Sequence, residues 1–95
     1  MNLKELESRI RELFENDMEL LRDKNADYTG DRDALSNLRH FGFYGVVVRL
    51  TDKFHRLQTF ADKGVFKIKE ENVRDTLRDI RNYCHLGEVL LDEEE

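Results

Sequence analysis

Glu71, Asp75 and Asp79 stand four residues apart, and on a helix turning about 100° per residue that spacing stacks three carboxylates into one acidic ridge. Like charges so placed repel by about 0.2–0.5 kcal/mol per pair unless cations offset them, and Arg74, Arg78 and Arg81 are near enough to do so. The ridge reads either as a solvated charged face or as a magnesium site, since hard divalent ions take carboxylate oxygens and in turn hold phosphates. Upstream, Arg49-x-x-Asp52-Lys53-x-x-Arg56 reads as an ion-pair ladder. It reads equally as a phosphate clamp in which Arg49, Lys53 or Arg56 meets phosphate while Asp52 orients them or a metal. Lys24-Asn25-x-Asp27-Tyr28 gathers a cation, an amide, a carboxylate and an aromatic ring within a few residues, the groups needed to grip base, sugar and phosphate. Its plainer reading is a polar turn with Tyr28 packed on the fold.

Other chemistry is poorly served. His40, His55 and His85 have no metal-ligand spacing, and no paired-cysteine motif occurs, which argues against zinc. Cys84 falls on an apolar helical stripe and is expected as a buried structural thiol. The five glycines fit neither GxxxxGK[ST] nor GxGxxG, so any nucleotide site must be built from helix side chains.

The elements that would position these groups are helical. Leu3, Leu6, Ile10, Leu13, Phe14, Met18 and Leu21 keep three-and-four spacing and predict a helix from Leu3 to about Arg22. Residues 24–33 lose that periodicity and are expected to form an ordered loop. Asp33 is placed to cap a short helix through Ala34, Leu35, Leu38 and Phe41, ended by Gly42 or Gly45. A second long helix follows from about Phe43 to Asp62, with Val46, Val47, Leu50, Phe54, Leu57 and Ala61 on its stripe and Gly64 as terminator. Val65-Phe66-Lys67-Ile68-Lys69 reads as a connector. The last helix, Glu70 to Leu91, places Val73, Leu77, Ile80, Cys84, Gly87 and Leu91 on its core stripe. The expected fold class is thus all-α, a small bundle of three long helices plus one short helix. It occupies residues 1–91 as a single domain, with 92–95 as a frayed acidic tail.

Composition agrees. Of 95 residues 39% are charged, with no proline and no tryptophan, the profile of a helix-rich globular chain. The formal charge is −5, and Asp92 to Glu95 carry most of it. The near-neutral remainder disfavours a nucleic acid polymer as partner. No apolar run reaches membrane-spanning length, and a lone cysteine without a leader segment leads us to expect a reducing cytoplasm. So short a chain buries little apolar surface, and a homo-oligomer is the expected remedy.

Taken in order, these segments resemble the nucleotide modification associated domain 1 family, small helical proteins frequent in phage genomes. The resemblance spans most of the chain: Lys24-Asn25-x-Asp27-Tyr28, then Asn37 and Gly42-x-x-Gly45-Val46 leading into Arg49-x-x-Asp52-Lys53-x-x-Arg56, then Glu71-x-x-x-Asp75-Thr76-x-x-Asp79-x-x-x-Tyr83. It implies a role around nucleotides and a distant likeness to helical nucleoside-triphosphate pyrophosphatases of the MazG type, which hold magnesium with helix-borne carboxylates. Their acidic residues stand three apart on two facing helices, whereas this chain has four-residue steps on one helix and Asp52 alone on the other.

Three functions follow as expectations. In the first, Asp52, Glu71, Asp75 and Asp79 hold magnesium, Lys24, Arg49, Lys53 and Arg56 meet phosphate, Tyr28 or Tyr83 stacks on the base with Asn25 and Asp27 beside it, and a nucleoside triphosphate is hydrolysed. In the second, an oligomer binds and sequesters an intact nucleotide without catalysis, and in the third the chain is an interaction module.

Overall fold

The computed structural model describes residues 1–28, 35–64 and 69–94. Among them it is all helical, with three helices and no strand: α1 (Leu3–Tyr28), α2 (Ser36–Lys63) and α3 (Glu70–Glu94). The chain forms two compact units, Met1–Ala34 and Leu35–Glu95. None of the helices, among the described residues, is long and apolar enough to cross a membrane.

The first unit is α1. Asn2 caps it: the side-chain oxygen accepts from the Glu5 backbone N–H at 2.8 Å, and the Asn2 amide donates to the Glu5 carboxylate at 3.1 Å, a reciprocal arrangement that satisfies exposed first-turn donors. The helix does not stop near Arg22. It continues through Tyr28, so Lys24, Asn25, Asp27 and Tyr28 belong to its last turns and not to a loop. Between Arg22 and Tyr28 there is no glycine or proline, and lysine, asparagine and aspartate cost a helix only tenths of a kcal/mol each, about 0.7 at most. Loss of apolar periodicity ended a packing stripe without ending the backbone helix.

In the second unit the expected short helix is not a separate element. It forms the first turns of α2, which bends at Gly42, where φ is 70° and ψ −168°. Only glycine adopts that region without strain. A Cβ built there meets nothing within 4 Å, so the cost of Gly42→Ala is backbone strain alone, about 1–3 kcal/mol. A lowered thermal midpoint followed by helical circular dichroism is the expected result, and an unchanged midpoint would mean that the bend straightens in solution. Leu35 occupies the N-cap of α2 with no side-chain cap, and the proposed cap Asp33 lies outside the described residues, as do connector residues 65–68. Gly64, at φ 85°, ends α2 with its N–H bonded to the Ala61 carbonyl.

α2 and α3 run antiparallel: Arg39 pairs with Glu93, Val46 touches Gly87, and Lys53 pairs with Asp79. Leu35, Val46 and Leu90 are the buried apolar side chains among the described residues, with Leu38, Leu50, Tyr83 and Leu86 packed against them. A Cβ on Gly87 would lie 3.3 Å from Val46 Cγ1, so the missing side chain lets the helices approach. Among the described residues Thr76 is the buried polar one, and its hydroxyl donates to the Asn72 carbonyl at 2.9 Å, which removes the penalty of an unpaired buried group.

The stripe of α3 that faces α2 is therefore Thr76, Tyr83 and Leu90 with Leu86 and Gly87. Of the expected stripe, Gly87 is buried and Val73 and Ile80 are partly buried, whereas Leu77, Cys84 and Leu91 lie one residue further round and are exposed. Cys84 is accordingly not a core thiol. Periodicity locates an apolar stripe without saying which neighbour covers it. α3 also extends to Glu94, so Asp92 and Glu93 do not form a frayed tail. Arg39 Nε donates to a Glu93 carboxylate oxygen at 2.7 Å. That hydrogen bond, reinforced by the charges, holds the Glu93 carboxyl below its ordinary range and the Arg39 guanidinium above its own.

Candidate functional site

One side of the α2–α3 hairpin carries the charged groups. Arg56 and Phe60 from α2 and Asn72, Asp75, Thr76 and Asp79 from α3 line a cleft of about 380 Å³. Helical spacing explains the convergence: Arg56 and Phe60 are one turn apart on α2, and on α3 Asp75 and Thr76 follow Asn72 by three and four residues and Asp79 follows them by four and three. The volume lies within the range of small-molecule sites, about 300–1,000 Å³.

Both carboxylates in the cleft are engaged. Lys53 Nζ lies 3.1 Å from Asp79, both side chains being partly buried, and Arg78 donates to Asp75 at 2.6 Å. The Nε of Arg78 is buried with no hydrogen-bond partner, so its guanidinium keeps an unused donor. Arg56 has no ion-pair partner among the described residues. With Asp75 and Asp79 neutralised by Arg78 and Lys53, Arg56 leaves the cleft with an excess positive charge, the balance that receives an anion.

The remaining expected residues are placed as follows. Arg49 lies on α2 at the edge of a separate apolar groove of about 490 Å³, lined also by Leu38, Phe41, Tyr44, Gly45 and Val48. Asp52 and Glu71 are exposed and do not line the cleft. Tyr83 is partly buried and packs against the buried cluster, so its ring contributes to the core. Lys24, Asn25, Asp27 and Tyr28 belong to α1. Among the described residues no group of three or more His, Cys, Asp or Glu side chains stands ready to hold a metal ion. Of the four carboxylates expected around magnesium, Asp52 and Glu71 lie outside the cleft, and Asp75 and Asp79 each hold a cation.

Phe60 and Asn72 are the contributors that sequence reasoning passed over, whereas Arg78, expected as a cation offsetting the acidic ridge, does pair with Asp75. Phe60 falls off the apolar stripe of α2, and Asn72 sits one turn before Thr76 and two before Asp79. Extending the acidic ridge to the neighbouring positions three residues away would have found Asn72. No family model matches the chain, and no curated protein or solved structure matches it.

Proposed function

We propose that this chain binds a phosphorylated nucleotide in the α2–α3 cleft, with Arg56 on the phosphates, Phe60 against the base, and Asn72 and Thr76 hydrogen-bonding base or sugar. The observation that supports this reading is the charge balance of the cleft: two carboxylates, each held by its own cation, beside an arginine that has no ion-pair partner among the described residues. An asparagine amide offers two donors and an acceptor, the set that reads a base edge. The resemblance to nucleotide modification associated domains points to the same ligand class. Binding of the intact nucleotide is favoured over hydrolysis because Asp75 and Asp79 are engaged by Arg78 and Lys53.

Titration calorimetry against nucleoside triphosphates and cyclic nucleotides, with and without magnesium and with product assayed on the same samples, tests this. Intact ligand bound without need of magnesium is the expected result. Asp79→Asn releases Lys53 toward the ligand and should tighten binding by up to about fivefold, the worth of a partly exposed pair being up to about 1 kcal/mol. Magnesium-dependent pyrophosphate release that Asp79→Asn abolishes would replace the proposal with the hydrolase reading, and absence of binding across the panel would end both.

A further inference from the structure

The opposite side of the hairpin is apolar. On α2, Val46 and Lys53 are turned toward α3, and the residues that follow them, Val47 and Phe54, are 40% and 64% exposed. On α3, Thr76, Tyr83 and Leu90 are turned toward α2, and the residues that follow them are Leu77, Cys84 and Leu91, exposed at 42% for Leu77 and 45% for Leu91. One residue forward is a turn of about 100°. Because the two helices are right-handed and antiparallel, that step carries both sets to the same side of the hairpin. Arg56 and Asp75, which line the cleft, each sit one residue before an inward-facing position, Leu57 or Thr76, and so fall on the other side.

We infer that this apolar side is the docking surface for a second copy of the chain, with α2 of each copy lying antiparallel on α3 of the other to close a four-helix bundle. Spacing supports the seam. Val47 and Phe54 are seven residues apart, as are Leu77, Cys84 and Leu91, the repeat that keeps a stripe against a partner helix. Charge selects the occupant and its orientation. α2 carries five basic and two acidic residues, α3 three basic and eight acidic. Crossing α2 onto α3 of the partner pairs unlike charges twice, and stacking α3 on α3 would set two acidic helices together. A twofold axis parallel to the helices makes every neighbouring pair antiparallel and uses the same patch on both copies. Burial gives the reason to associate, since the buried apolar side chains among the described residues are Leu35, Val46 and Leu90, a small core for a hairpin of this length.

The register is fixed by the ion pairs within the hairpin. Lys53 is level with Asp79 and Arg39 with Glu93, which sets Cys84 level with Val48 of α2 and within one residue of Val47, and across the twofold axis the same holds for the other copy. Val47 faces the seam and Val48, one residue further round, does not. The full chain should sediment at the mass of a dimer or an even multiple of the monomer at micromolar concentration, and Leu77→Glu and Phe54→Glu should each return it to a monomer with its helical circular dichroism kept. With the native Cys84, Val47→Cys should give an interchain disulfide under mild oxidation with diamide, resolved as a dimer on a non-reducing gel, and Val48→Cys should not. A monomeric wild-type chain, as expected if its own segments or another protein cover this side, overturns the inference. Assembly that survives both glutamate substitutions overturns it too, and so does cross-linking of Val48→Cys as fast as Val47→Cys. Should a glutamate variant fail to fold, the cysteine pair decides.

Discussion

Leu90→Ala should destabilise the chain by about 2–4 kcal/mol, the cost of truncating a buried leucine and leaving a cavity. Leu90 is 4% exposed and forms the buried cluster with Leu35 and Val46. Domains of this size have total stabilities of about 5–15 kcal/mol, so one side chain is expected to remove a large share. The thermal midpoint should fall by about 10 °C or more. Leu38, Leu50, Tyr83 and Leu86 pack against the cluster and would relax only partly into the space. A urea titration of the variant beside wild type gives the value directly, and a loss below about 1 kcal/mol would mean that α2 and α3 are not held by this contact.

Arg56→Glu should weaken nucleotide binding by about a hundredfold, equivalent to about 2.7 kcal/mol. The substitution removes a charge-assisted phosphate contact, worth about 1.5–3 kcal/mol, and places a third carboxylate beside Asp75 and Asp79. Arg56 is exposed and has no ion-pair partner among the described residues, so stability should hold within about 0.5 kcal/mol. Arg74→Glu is the control. Arg74 pairs with Glu70 at 2.8 Å on an exposed part of α3 and does not line the cleft, so its reversal should leave affinity unchanged although it alters net charge equally. Equal losses in the two variants would show that the ligand responds to overall charge and would remove the cleft from consideration.

The proposed binding and the proposed assembly use different sides of the hairpin. Arg56, Phe60, Asn72 and Asp75 occupy one side, and Val47, Phe54, Leu77 and Leu91 the other. Association through the apolar side would leave the cleft of each copy open, so the glutamate substitutions at Leu77 and Phe54 and the substitution at Arg56 separate the two properties.

By itself the sequence determined the helical class and the apolar stripes, because three-and-four spacing is a local property of each segment. It also marked Arg56, Asp75 and Asp79 as residues able to do chemistry, since their types and spacing are visible without a fold. It misjudged the end of α1, where a polar stretch without glycine or proline remained helical, and the separation of the short helix, where Gly42 bends α2 without ending it. What only the tertiary structure decided is which stripe meets which. Gly87 lies against Val46 and Thr76 bonds its own helix, turning the 76–83–90 positions inward and leaving Leu77, Cys84 and Leu91 outside. The same packing brought Lys53 to Asp79 across the helices and left Asp52 and Glu71 out of the cleft lining. A carboxylate's role is set by the cation that reaches it, and for Asp79 that cation is 26 residues away in the chain, beyond any helical period.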